Sequence, residues 1–162
     1  MIWLALVGLF VLLCFGAVLF VGAPYVPTLS PQVVAALELA DLKASDTLLE
    51  LGCGDGKVVL AAVRLGYHVV GYELNPILAF VAWLRTRKYR QQVQIVWGDF
   101  WHKPWPPAEA VFVFLQPRYM TKLDRHIKAW PHKPVKLVSF AFQIPDRKPD
   151  KTQAGVFLYR YR

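Results

Sequence analysis

Hydrophobic and polar positions divide the chain into two unequal parts. Ile2–Gly22, IWLALVGLFVLLCFGAVLFVG, is 21 residues without a charged side chain. A helix of that length, at about 1.5 Å per residue, spans about 30 Å, the thickness of a bilayer's hydrocarbon core. Apolar residues occupy every face of the segment, which leaves no polar stripe for water. It has no basic residue before it, is longer than a signal-peptide core, and meets Pro24 directly after its small residues. The pattern therefore predicts a retained transmembrane anchor over 1–22. A Pro-rich connector over 23–31 and one folded domain over 32–162 follow.

Beyond Gly22 the periodicity alternates between helix and strand. Ser30 and Pro31 read as N-cap and first residue of a helix running to about Lys43. Strands are predicted at Asp46–Leu51, His68–Glu73, Val93–Trp97, Ala110–Leu115, Val135–Phe142 and Ala154–Tyr161. Helices are predicted at Lys57–Leu65, from Asn75–Pro76 to about Tyr89, and at Tyr119–Trp130. Ala110–Leu115, AVFVFL, is wholly apolar, as a parallel strand covered on both faces must be. The alternation predicts a minimal Rossmann-like α/β fold, a doubly wound and mostly parallel sheet. The connection between the last two strands is too short for a helical crossover, so the last strand is expected antiparallel.

Charge sharpens this picture. All 19 Lys and Arg lie after the apolar run, which places the domain on the cytoplasmic side of a single-pass protein. Residues 118–162 hold eleven basic and three acidic side chains, a net +8, while residues 1–117 balance eight against eight. That tail suits an anionic leaflet or an ordinary solvated surface. Cys14 and Cys53 are poorly placed to pair, no metal-ligand spacing occurs, and no metal is expected.

The chemistry concentrates in Leu48–Lys57, LLELGCGDGK. A strand runs into Gly52, Gly54 and Gly56 and then into a helix, whose first turn offers unpaired N–H groups. The dinucleotide fingerprint G-x-G-x-x-G needs its third glycine where this chain has Lys57. Glu50 and Asp55 also disfavour a pyrophosphate and suit a cationic ligand. The spacing resembles motif I of class I methyltransferases, where the glycines pass beside the amino-acid part of S-adenosylmethionine. Glu73 ends the second predicted strand, 17 residues after Gly56, where a carboxylate accepts both ribose hydroxyls. Asp99 follows the third strand, with Phe100 beside it. By resemblance, that acid receives the adenine amino group and the apolar neighbour lies against the ring.

The segments GAPYVPT, ELGCGDGKVV, GYELNP and GDFW together resemble the small membrane-anchored lysine N-methyltransferases that act on the ATP synthase c-subunit and the adenine nucleotide translocase, and their prokaryotic relatives. The resemblance covers roughly residues 22–120. It implies S-adenosyl-L-methionine as cofactor, held by Glu50, Gly52, Gly54, Gly56, Glu73, Leu74, Asp99 and Phe100. It implies a lysine acceptor on a membrane or membrane-near protein, with Thr28 and Gln116 beside it. The chain departs from the family in lacking the helix that usually precedes the last two strands.

Gln116-Pro117 follows the fourth strand, where amino-group methyltransferases place a polar residue and proline against the acceptor nitrogen. A plain strand-to-helix turn has the same sequence. His68, His102, His126 and His132 are expected to be structural or solvated, and no dedicated general base stands out. The loop with Trp101 and Trp105 fits a substrate lip, a membrane-interface contact or simple packing. Two acceptors besides lysine stay open: a lipid or membrane-partitioned small molecule and, further off, RNA. Nucleic acid is not an expected partner, because the anchor and the lack of an added RNA-binding domain weigh against it.

Overall fold

The computed structural model describes residues 2–4, 6–9, 12, 16 and 28–162. Seven strands form one sheet in the order β3-β2-β1-β4-β5-β7-β6. They are β1 (Thr47–Leu51), β2 (His68–Glu73), β3 (Val93–Trp97), β4 (Ala110–Val113), β5 (Val135–Phe140), β6 (Lys151–Gln153) and β7 (Val156–Tyr161). β1 to β5 are parallel, and β7 runs antiparallel between β5 and β6. The helices are α1 (Ser30–Ala40), α2 (Lys57–Arg64), α3 (Pro76–Thr86) and α4 (Pro117–Ala129).

The boundaries differ from expectation for local reasons. Helix α1 ends at Ala40 rather than near Lys43, because Asp41 turns left-handed at φ 46° and returns its N–H to the Leu37 carbonyl. The helix beginning at Pro76 ends at Thr86 and tightens into a 3₁₀ turn over Arg87–Tyr89. Strand β4 stops at Val113, and α4 begins at Pro117, whose missing N–H costs nothing in a first turn. The last predicted strand, Ala154–Tyr161, is β7 from Val156, and the short strand β6 precedes it in a hairpin. Ala154 and Gly155, both at positive φ, join β6 to β7 through a two-residue turn.

The core has two halves, one on each face of the sheet. Helices α1 and α2 bury Val33, Ala36, Leu37, Val59, Ala62 and Val63 against one face, and α3 adds Ala82. Among the described residues the other face holds a single helix, α4, through Met120, Leu123 and Ile127. The rest is covered by the loop that crosses from β3 to β4, with Trp105 and Ala108 against Leu49, Leu51 and Tyr72. Tyr72 donates its hydroxyl to the Pro104 carbonyl at 2.6 Å and fixes that loop to β2. No helix stands between β5 and β6, as the sequence indicated. The loop there is held instead by Asp124 on α4, which accepts from Arg147 (3.2 Å) and from Tyr161 (2.8 Å).

The connector expected over 23–31 already contributes Ser30 to α1. Among the described residues no helix is long and apolar enough to cross a membrane. The anchor predicted over 1–22 falls mostly outside the described residues. Those of its positions that are described are helical, with Ile2, Trp3, Leu4, Leu6, Val7, Leu9 and Leu12 exposed.

Candidate active site

In the order β3-β2-β1-β4-β5 the direction of winding reverses between β1 and β4, and the crevice beyond their C-terminal ends is where open α/β sheets take ligands. Glu50 lies near the end of β1, Glu73 at the end of β2, and Asp99 two residues past β3. Gln116 follows β4 as the N-cap of α4. All four therefore belong to this one edge.

The glycine turn is built around Glu73. Gly52 and Cys53 donate their N–H groups to the Tyr72 carbonyl at 2.9 and 2.8 Å. Gly54 N–H donates to Glu73 Oε2 at 2.8 Å, and Asn75 N–H donates to Glu73 Oε1 at 2.8 Å. Each carboxylate oxygen keeps acceptor capacity for a ligand hydroxyl. Asn75 then caps α3, its side chain accepting from Ile77 and Leu78, with Pro76 in the first turn.

Two glycines are required for different reasons. Gly52 sits at φ +86°, and a Cβ added there would meet nothing within 4 Å, so it borders open space. Gly56, at φ +78°, would drive a Cβ to 3.0 Å from Ala82 of α3. It is the close helix-packing position, one residue earlier than the dinucleotide pattern requires.

Glu50 is buried, and its Oε2 has no hydrogen-bond partner. Burial first, then the nearby Glu73 and Asp55 carboxylates, push its pKa well above the usual carboxylate range, while the Val59 amide pulls the other way. Burial also raises Glu73, opposed by its backbone N–H donors. The same burial and the same two glutamates raise the Cys53 thiol, so this cysteine is not a thiolate nucleophile. An orphaned carboxylate oxygen beside a second buried carboxyl calls for a cationic donor. The α-amine and sulfonium of S-adenosylmethionine meet that requirement, and a pyrophosphate does not.

Other residues change the sequence picture. Asp55 is ion-paired with Arg85 of α3, so it is already neutralised. The argument against a phosphate rests on Glu50 and Glu73 instead. Asp99 is committed to its own turn, accepting from Trp101 N–H at 2.9 Å, with His102 Nδ1 at 2.8 Å. Phe100 packs in an aromatic cluster, 4.7 Å from Trp101 and 6.4 Å from Trp105 between ring centroids. Trp105 donates to the Phe100 carbonyl at 2.8 Å. Leu74 is half-buried, and its carbonyl accepts from the exposed Trp97 indole at 3.1 Å.

Thr28 is buried, and its carbonyl accepts from Lys57 Nζ at 2.8 Å. That bond brings the connector to the first residue of the helix following the glycine turn. Lys57 had marked only a missing glycine in the sequence; its role as a clasp carries no sequence signal. The Gln116 side chain is half-buried and does not cap α4. Gln116 thus stands past the end of β4, and Thr28 is tied to the helix that follows β1.

This fold and site define a class I, S-adenosylmethionine-dependent methyltransferase domain. Residues 50–151 match the ANTKMT methyltransferase domain, and the chain belongs to that family. It is 29% identical over 131 residues to the ATP synthase c-subunit lysine N-methyltransferase of Xenopus laevis, covering 78% of this chain and 57% of that protein. It is 30% identical over 135 residues to a protein-lysine N-methyltransferase of Saccharolobus islandicus, covering 78% and 81%. Its fold matches an RNA methyltransferase from Salinibacter ruber solved with S-adenosyl-L-homocysteine, at a TM-score of 0.75 and 31% identity over 84% and 92% of the two chains. The chain spans little more than half the length of the vertebrate relatives, 53–60%.

Proposed function

We propose that this chain transfers a methyl group from S-adenosylmethionine to a lysine side chain of a protein in or beside a membrane. The observation that carries the cofactor side is the orphaned, buried Glu50 oxygen next to Glu73 in the glycine turn. The lysine acceptor is supported by the named activities of the Xenopus and Saccharolobus relatives.

When bound, the cofactor supplies an electrophilic methyl group on a sulfonium. The chain's own residues bind and align. Glu50 and the exposed backbone at Gly52 would receive the cationic amino-acid end, with Gly54 tied to Glu73 and Gly56 letting α2 and α3 close behind them. Glu73 accepts the ribose hydroxyls with the lone pairs its backbone donors leave unused. Asp99, Phe100 and Leu74 would border the adenine side, and Asp99 would accept the adenine amino group in addition to its Trp101 and His102 partners. Thr28 and Gln116 flank the acceptor nitrogen. A lysine with an unperturbed pKa of about 10.4 must lose its proton to water before reacting, and apolar surroundings favour that neutral form. Alignment and exclusion of water then carry most of the rate.

The anchor belongs to the same proposal. Residues 1–22 hold the domain at a bilayer on its cytoplasmic side, residues 23–31 connect and bring Thr28 to the site, and 32–162 carry the rest of it. The uncharged run and the exposure of its described side chains support this. A second reading, RNA as acceptor, is favoured by the Salinibacter protein's description and by the net +8 of residues 118–162. The test is to incubate the full chain and methyl-labelled S-adenosylmethionine with membranes, then hydrolyse the labelled protein. The proposal expects methylated lysine; label in protein on another residue type rejects it.

A further inference from the structure

Helix α3 has two apolar faces, and the fold uses one. Leu78, Ala79, Ala82 and Thr86 are buried against the sheet and α2. Phe80, Trp83 and Leu84 are 60%, 52% and 43% exposed, and Phe80 stacks on Trp83 with ring centroids 5.7 Å apart. With the exposed Arg87 they recur at helical spacing, 80, 83, 84 and 87, so they form one continuous outer stripe. A packing account of α3 needs none of them.

The stripe runs straight into positive charge. Arg87, Lys88 and Arg90 are all exposed, and Arg64 at the end of α2 joins Lys88 at the Tyr89 hydroxyl. Between Arg64 and Arg90 the only acidic residue is Glu73, which is buried in the turn. Aromatic side chains flanked by arginine and lysine suit the headgroup boundary of an anionic bilayer, where rings sit among the acyl carbonyls and cations meet phosphates. The chain also enters the domain on this layer, since Thr28 is clasped by Lys57 of α2, and α2 packs on α3. An apolar run ending at Gly22, six residues before Thr28, therefore brings the bilayer toward the side of the domain that carries the stripe.

We infer that the outer face of α3, Phe80-Trp83-Leu84 with Arg87, Lys88 and Arg90, is a membrane-docking surface that seats the domain on anionic lipid. This rests on the anchor reading above, and it adds an orientation: α1, α2 and α3 face the bilayer. The opposite face, with α4 and its aromatic loop, faces away.

The experiment uses the full chain with Cys14→Ser, which leaves the buried Cys53 as the only native thiol. An environment-sensitive fluorophore is attached at Phe80→Cys or, as control, at the exposed Lys148→Cys on the loop before β6. Both are reconstituted into phosphatidylcholine vesicles with or without phosphatidylglycerol, containing an acyl-chain spin label. The probe at 80 should be blue-shifted and quenched severalfold more than the probe at 148. The difference should shrink in Arg87→Glu/Lys88→Glu and at high salt. Equal quenching at both positions in a chain that floats with the vesicles overturns the inference and leaves the anchor standing. A chain that does not float overturns both. A probe at 80 that is shielded without vesicles shows that a second copy or the chain's own apolar run covers the stripe, and also overturns it.

Discussion

Glu73 Oε2 accepts the Gly54 N–H at 2.8 Å, so the acid expected to hold the ribose also holds the glycine turn. Its other oxygen does the same for Asn75 at the head of α3. Glu73→Ala should therefore weaken S-adenosylhomocysteine binding tenfold or more, through lost charge-assisted bonds of about 1.5–3 kcal/mol each. It should also lower stability by about 1–3 kcal/mol, because two buried donors lose their acceptor. Calorimetry and thermal unfolding read the two effects separately, and unchanged affinity rejects the ribose role.

Glu50→Gln should stabilise the cofactor-free domain at neutral pH, by an amount on the order of 1–3 kcal/mol, while weakening cofactor binding. Glu50 is raised by burial, then by Glu73 and Asp55. The folded chain thus holds a proton that the unfolded chain releases. Below the ordinary carboxylate pKa both states are protonated and nothing is lost. As pH rises from that value toward the raised folded value, stability falls. Unfolding followed upward from the ordinary carboxylate pKa should show wild type losing ground to the variant with rising pH. A variant less stable than wild type at neutral pH contradicts the assignment.

Lys57→Met removes the clasp on Thr28 and keeps most of the apolar stem. A partly exposed hydrogen bond of this kind is worth about 1 kcal/mol, so folding should persist. Methyl transfer should slow more than cofactor affinity falls if Thr28 lies on the acceptor side, as proposed. Equal losses in kcat and in cofactor affinity would place Thr28 with the cofactor.

Gln116→Ala should likewise slow transfer with little change in cofactor Kd. Its side chain does not cap α4, so removing it spares the helix. A drop in thermal stability without a change in rate would reduce Gln116 to a structural turn residue.

Much of this was legible in the chain because the signals were local. β2 and β3 fall where alternation placed them, and the N-cap and proline at Asn75-Pro76 open α3 as expected. The three acids reach one edge because each ends or follows a parallel strand. What stayed hidden depends on distant partners. Asp55 meets Arg85 only once α3 packs beside the glycine turn, and Thr28 meets Lys57 only once the connector folds onto α2. The β6 hairpin was missed because three exposed polar residues, Lys151–Gln153, carry no alternation. Asp99's ties to Trp101 and His102 come from a turn geometry that GDFW does not announce.

The acceptor is the central claim, and one measurement reaches it most directly. Membranes are incubated with the full chain and methyl-labelled S-adenosylmethionine, then separated into protein, lipid and RNA. Label is expected in protein, and Gln116→Ala should reduce it much more than it weakens cofactor binding. Label found only in lipid or only in RNA contradicts the lysine reading and leaves the methyltransferase assignment in place.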